Sequence, residues 1–141
     1  MAGEAKRANR IATNILKKLD DPLIEKGLMV YTHDVKAQVV PNGIYRYRNL
    51  VAAPVADDEH DYIVKHPVLM VEVASKDSGN RDRVKKWQEY QKIPSLLYYL
   101  VVSQDEMLVE LQSRNNDGKW ETTYFSLSRK KKFCSNVLGL Y

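Results

Sequence analysis

One carboxylate stands inside an otherwise apolar stretch of the sequence, Pro67 to Ser75, which reads PVLMVEVAS. The residues around Glu72 are those that a strand buried on both faces uses. Taking an unpaired carboxylate out of water costs several kcal/mol. Glu72 must therefore be stabilised by protonation, by a basic side chain or by a metal ion, and the choice among these decides which chemistry the strand can support.

Two lysines beyond this strand are candidate partners for Glu72. Lys86 falls on a predicted helix, one turn before Tyr90, and so flanks the apolar side of that helix. It could reach the end of the Glu72 strand, or it could cover apolar surface with its stem while its ammonium group stays in water. Lys76 is the competitor, because it has the same strand parity as Glu72 if the strand extends that far.

The hydrophobic pattern predicts the elements that must position these side chains, beginning with a helix and an antiparallel hairpin. Apolar residues at three- and four-residue steps predict a helix from Glu4 to about Asp20, whose opposite face is basic. The stretches LMVYTHDVKAQVV and IYRYRNLVAA are predicted to form the hairpin, with its turn at PNG. The polar stretch PVADDEHDYIVKHP is predicted to be a surface loop that leads into the strand at Val68 to Ala74.

The second half of the sequence predicts another helix and three more strands. RDRVKKWQEYQKI is helical in pattern, with Asn80 as its predicted N-cap and Pro94 as its terminator. The strands SLLYYLVVS, MLVELQS and KWETTYFSL follow. A strand, a helix and a second apolar strand in succession suggest a parallel crossover. The predicted fold class is therefore α/β (α+β), a mixed sheet flanked by helices in the order helix, three strands, helix, three strands.

Composition limits the classes of protein that the chain can belong to. With 141 residues, of which 44% are hydrophobic, residues 1–141 are predicted to form one domain. A single cysteine, Cys134, and the absence of a signal-peptide core predict a reducing, cytoplasmic location. No apolar run approaches the roughly 20 residues that a membrane span needs. The net charge of +4 favours an anionic partner such as nucleic acid, and RKKK at Arg129 to Lys132 is either a phosphate-binding patch or a solvated basic edge.

Several of these stretches together carry a resemblance to a known family. The most specific are PVLMVEVAS, the RDRVKKWQEY helix at the matching distance beyond it, and YYLVVSQDEMLVEL. From about Ala8 to Phe125 the sequence resembles the bacterial Uma-type restriction endonucleases, a branch of the PD-(D/E)XK nuclease superfamily. The resemblance implies a restriction-endonuclease-like fold and magnesium-dependent hydrolysis of phosphodiester bonds. Duplex DNA is the expected substrate, and a homodimer is expected because cutting both strands favours two sites.

The resemblance also assigns roles to individual residues. Glu72 is expected to bind the metal, and Lys86 is expected to orient or deprotonate the attacking water beside it. Mg²⁺ suits such a site because it prefers hard oxygen ligands and lowers the pKa of bound water. Asn49 occupies the position of a family aspartate and is a candidate co-ligand; Asp34 could be a substitute carboxylate or simply a turn or cap residue. The candidate nucleic-acid contacts are Arg48, Lys76 and Arg83.

The sequence departs from the family pattern at three places. The family usually has Tyr-Pro-Asp where this chain has Tyr47, Arg48 and Asn49, and the loss of a carboxylate should weaken metal binding. Ala8 stands where relatives often have histidine, and the N-terminal strands common in the family are expected to be missing. Two functions therefore stay open: a magnesium-dependent endonuclease, or a catalytically silent nucleic-acid-binding or scaffold domain in which Glu72 pairs with Lys86 or Arg48.

Overall fold

The computed structural model describes residues 5–32, 35–41, 43–56, 60–76 and 79–126. Within these ranges the chain forms two helices and nine strands. In chain order they are α1 (Lys6–Glu25), β1 (Leu28–Thr32), β2 (Lys36–Gln38), β3 (Tyr45–Tyr47), β4 (Leu50–Pro54), β5 (Ile63–Val64), β6 (Leu69–Ala74), α2 (Asn80–Tyr90), β7 (Tyr98–Ser103), β8 (Leu108–Arg114) and β9 (Trp120–Ser126).

A six-stranded mixed sheet forms the centre of the fold, in the order β1-β4-β6-β7-β8-β9. The neighbours β6 and β7 run parallel, with Glu72 opposite Val101, and the remaining pairs of this sheet are antiparallel. Helix α2 connects the two parallel strands. The predicted fold class and the predicted parallel crossover are therefore confirmed.

A second sheet of three short strands, in the order β3-β2-β5, corrects the predicted strand count. Six strands precede α2 in the described residues, whereas three were expected. Each predicted hairpin strand is divided between the sheets, since β1 pairs with β4 and β2 pairs with β3. The two-residue alternation continues across the division, so the hydrophobic pattern does not reveal it. The strand β5 lies in the segment predicted to be a loop, and it pairs in parallel with β2.

The two faces of the large sheet bury separate apolar clusters. On one face, Leu69 and Val71 of β6 pack with Leu19 and Leu23 of α1. On the other face, Met70 packs with α2 and with the inner side of the small sheet. Because side chains alternate along a strand, Glu72 points to the same side as Met70, toward α2.

Both helices begin or end at positions that differ from the sequence prediction. Helix α1 ends at Glu25 rather than near Asp20, and it continues through Pro22 because the buried side chain of Leu23 extends its apolar side. Gly27, whose φ is +77°, follows the helix and donates its N–H to the carbonyl of Ile24. The prediction of Asn80 as N-cap is wrong by one residue, since Gly79 has the non-helical ψ of 135°. No helix in the described ranges is long and apolar enough to cross a membrane.

Candidate functional site

Glu72 lies near the carboxyl end of β6, beside the parallel strand β7 and under α2. Its side chain is 19% exposed, so most of the carboxylate is removed from water. The hydroxyl group of Tyr99 donates a hydrogen bond of 2.5 Å to Oε2, and Lys86 Nζ lies 3.5 Å from Oε1. Both carboxylate oxygens thus contact polar side chains of the protein itself.

Lys86 connects Glu72 to a second carboxylate on α2. Its Nζ lies 2.6 Å from Asp82 Oδ2, one helical turn earlier, and 20% of the Lys86 side chain is exposed. The hydrogen bond from Lys86 lowers the pKa of Asp82 below its ordinary value. Lys86 therefore bridges a largely buried carboxylate and one that is 60% exposed.

An aromatic cluster fixes the phenol that contacts Glu72. The ring of Tyr99 stacks on Trp87 with centroids 5.7 Å apart, and it meets the edge of Tyr90 at 5.1 Å. Burial raises the pKa of Tyr99 far above its ordinary value, and the charge of Glu72 and their hydrogen bond raise it further. The phenol consequently stays protonated above its ordinary pKa and donates its hydrogen bond to the carboxylate.

Arg48 brings a second cation to this region. Its guanidinium lies 4.7 Å from the ring centroid of Tyr90, and Nη1 donates to the carbonyl of Tyr47 at 2.8 Å. Nε and Nη2 are buried and have no hydrogen-bond partner within the described ranges. Burial lowers the pKa of Arg48, while the negative charge of Glu72 is the largest influence that raises it. Glu72 is therefore the carboxylate with the largest electrostatic influence on this half-buried guanidinium.

The side chain of Asn49 extends the pairing between β4 and β6. Its Oδ1 accepts a 2.7 Å hydrogen bond from the backbone N–H of Val73, the residue after Glu72. The ladder between these strands begins one residue later, with Leu50 opposite Val71. The oxygen that was predicted to bind a metal thus bonds to the backbone of the neighbouring strand.

The other predicted site residues are distributed around this centre. Of the two candidate lysines, Lys86 contacts Glu72, whereas Lys76 Nζ lies 3.0 Å from Glu106 and is 67% exposed. Arg83 Nη2 lies 3.5 Å from Glu110. Lys76 and Arg83 both line a cavity of about 210 Å³ beside the ends of β6 and β7. Asp34 and the RKKK stretch lie outside the described residues.

The magnesium ion that the family resemblance implies is usually held by one or two carboxylates together with several waters. The described residues contain no group of three or more His, Cys, Asp or Glu side chains that could hold a metal. Glu72 is flanked by Lys86 and by Arg48, and the Asn49 oxygen accepts the Val73 N–H. Because side chains of the protein already occupy both oxygens of Glu72 and the backbone of β6 occupies the oxygen of Asn49, the described residues do not fit a magnesium ion.

Two polar residues of the site were not identified from the sequence. Tyr99 contacts Glu72 because β7 lies beside β6 in parallel with Met70 opposite Tyr99, a register that hydrophobic patterns do not specify. Asp82 lies in the first turn of α2 and was not among the candidate site residues. Its spacing of four residues from Lys86 is the signal that could have revealed the ion pair.

Comparisons with known proteins agree on a family and a fold. The family model described as "Uma2: Putative restriction endonuclease" matches residues 1–137. A protein of Synechocystis sp. that is described as uncharacterized is 30% identical over 112 residues, which are 79% of this chain and 57% of that protein. The chain thus spans little more than half of that relative's length.

A solved structure shows the same architecture. It is described as "a putative nuclease belonging to DUF820" from Anabaena variabilis, and it matches with a TM-score of 0.69. The match covers 89% of this chain and 70% of that chain at 11% sequence identity, so it shows the fold alone. The family model matches nearly the whole sequence, which confirms the family resemblance that the sequence motifs indicated. The chain therefore belongs to the Uma2 family of restriction-endonuclease-like proteins.

Proposed function

We propose that this chain is a nucleic-acid-binding domain that keeps a nuclease fold while internal ion pairs replace the metal centre. Its family and fold are those of restriction-endonuclease-like nucleases. The observation that carries the proposal is the pairing of Glu72 with Lys86 at 3.5 Å and with the hydroxyl of Tyr99, near the charge of Arg48. In this arrangement Glu72 holds the protein's own cations in place.

The charges around Glu72 favour an anion over a divalent cation. Lys86 and Arg48 outnumber the one largely buried carboxylate beside them. Asp82 adds a second negative charge, but its side chain is 60% exposed and water screens it more effectively. A metal ion approaching Glu72 would meet two positive groups, whereas a phosphate would be attracted to them.

The surface of α2 and the opposite side of the molecule carry further positive charge. Arg81, Arg83 and Lys85 are exposed on α2, the helix that also carries Lys86. The exposed side of α1 is also basic, with Lys6, Arg7, Arg10, Lys17 and Lys18. With a net charge of +4, these residues support binding to phosphate groups that does not depend on base sequence.

Fluorescence anisotropy with labelled DNA over a range of salt concentrations tests this binding. The proposal expects binding without any divalent metal, and an affinity that falls steeply as salt rises. The variant R81Q/K85Q should weaken binding and reduce the salt dependence by about one charge for each of the two side chains that pairs with a phosphate. K119Q, in the exposed turn between β8 and β9, is the matched control and should bind like the parent protein. A parent protein that binds no nucleic acid even at low salt would exclude the proposal.

A magnesium-dependent DNA endonuclease is the second candidate. The observation that favours it is the 3.5 Å separation of Lys86 and Glu72, the two residues to which the family resemblance assigns catalysis. An active endonuclease would need metal ligands in addition to Glu72. Asp34 is the carboxylate that the sequence offers for this role. Incubation of plasmid DNA with Mg²⁺ or Mn²⁺ distinguishes the candidates. Nicking that disappears in E72A would establish the endonuclease, and intact plasmid with both metals would support the silent domain.

Duplex DNA as substrate and a homodimeric assembly are predictions that belong to this second candidate. Sedimentation of the purified chain with and without duplex DNA measures the assembly directly. The cytoplasmic location and the single domain of residues 1–141 likewise stay predictions.

A further inference from the structure

The small sheet has one buried side and one side turned away from the core. Ala37 and Val64 point inward and are 0% and 3% exposed, and Arg46 on the same side pairs with Glu89 of α2 at 3.0 Å. The alternate residues form what we call the outer face of the small sheet, and none of them belongs to either apolar cluster. Its residues are Lys36, Gln38, Tyr45, Tyr47 and Ile63.

Two tyrosines and a lysine dominate this outer face. Tyr47 is 41% exposed, and Lys36, its partner across the strand pair, has its Nζ 5.4 Å from the centroid of the tyrosine ring. Tyr45, two residues before Tyr47, lies on the same face of β3 and opposite Gln38. Two residues on one face of a strand lie about 7 Å apart, so both rings can be contacted by one extended ligand.

The outer face is joined to the Glu72 site through β3 itself. Arg46 and Arg48 precede and follow Tyr47, and both point to the opposite side of the strand. Arg46 pairs with Glu89 on α2, and the Arg48 guanidinium lies over Tyr90. A ligand that contacts Tyr47 would therefore lie across the small sheet from the cations described above.

An exposed tyrosine ring and a half-buried one beside a lysine match the chemistry of unpaired nucleotides. Bases of a single strand stack on aromatic side chains, and their phosphates pair with nearby cations. In a duplex the faces of the bases are already stacked on one another, so a flat aromatic surface gains little from them.

We propose that the outer face of the small sheet binds single-stranded nucleic acid, with Tyr45 and Tyr47 stacking on bases and Lys36 contacting phosphate. The inference rests on the proposed nucleic-acid-binding function and names the class of nucleic acid that is bound. Charge complementarity favours this ligand over an apolar peptide, since Lys36 lies beside the exposed ring.

Fluorescence anisotropy with a labelled oligothymidylate and a hairpin duplex of equal length tests the inference. We expect the single strand to bind more tightly, and Y47A to weaken its binding about tenfold. Y47F, which keeps the ring, should bind like the parent protein, whereas K36Q should lower the salt dependence by about one charge. Y124A is the matched control, because Tyr124 is 59% exposed on β9 at the far edge of the large sheet.

Two outcomes would overturn the inference, and they are distinguishable. If the parent protein binds DNA but neither Y47A nor Y45A changes the affinity for the oligothymidylate, the outer face is not the binding surface and the proposed function survives. If the parent protein binds neither DNA at low salt, both proposals fail together. Circular dichroism and urea unfolding of each variant establish that it is folded, as expected for changes at an exposed ring.

Discussion

At the scale of the residue, Glu72 shows how an ionisable group is accommodated on an interior strand. The position of Lys86 beside the apolar side of the following helix was sufficient to predict that it could reach Glu72. The contact with Tyr99 was not predictable, because it depends on how β7 is aligned with β6. The separation of Arg48 from solvent depends likewise on packing against Tyr90, which no local pattern encodes.

Replacement of Glu72 by glutamine should destabilise the protein. E72Q removes the charge that compensates Lys86 and Arg48, so we expect a loss of about 2 kcal/mol in the free energy of unfolding. Urea unfolding at neutral pH without metal measures the change. E106Q is the control, because Glu106 pairs with Lys76 at the surface, and its loss should be below about 0.5 kcal/mol.

An increase in the stability of E72Q would contradict this account of the site. A carboxylate that is grouped with other carboxylates to bind a metal is repelled by them when the metal is absent. Its neutralisation would then stabilise the metal-free protein instead of weakening it.

Tyr99 should make the protein sensitive to alkaline pH. Its pKa is raised in the folded state by burial and by Glu72, so its contribution to stability is complete below about pH 10. That contribution is lost as the pH rises above 10 toward the raised pKa of the folded state, because the unfolded chain can ionise and the folded chain cannot. Ultraviolet titration of phenolate should show the same absorbance change for Y99F and the parent protein while both are folded. A smaller change in Y99F would show that Tyr99 ionises in the folded state.

At the scale of the element, the sequence predicted both helices and the parallel crossover but not the division into two sheets. The periodicity of α1 and the apolar runs of β6 and β7 are long enough to identify each element. The strands β2, β3 and β5 contain only two or three residues each, which is too short for a periodic signal. Their pairing is decided by packing against α2, where Ala37 and Val64 join the same cluster as Tyr90.

The end of α2 should depend on Arg114. Its guanidinium donates hydrogen bonds to the carbonyls of Gln91, Ile93 and Pro94 at 2.9 to 3.0 Å, in the turn that follows the helix. We expect R114M to lower the free energy of unfolding by about 2 kcal/mol, because these carbonyls lose a charged donor. Chemical denaturation measures this, with K119M in the exposed turn as a control that should be nearly neutral. An R114M variant as stable as the parent would show that water replaces the guanidinium.

At the scale of the whole molecule, the distribution of charge separates the two candidate functions. A protein that binds Mg²⁺ in its folded state is stabilised by the ion in a concentration-dependent way. The described residues hold cations of their own beside Glu72, so we expect millimolar Mg²⁺ to leave the melting temperature unchanged apart from an ionic-strength effect. Thermal unfolding with MgCl2, compared with NaCl at equal ionic strength, measures this. A specific rise with Mg²⁺ would favour the endonuclease.

The division of the hairpin between two sheets has a consequence for how this architecture can vary. The chain leaves the large sheet after Thr32 and re-enters it at Leu50, and these two residues lie directly opposite each other. The Cα atoms of Thr32 and Leu50 are therefore roughly 5 Å apart, whatever the length of the segment that connects them. Loop-closure entropy changes only slowly with the number of residues enclosed. Insertions and deletions between these two points can reshape the surface near the cations and leave the central strands in register.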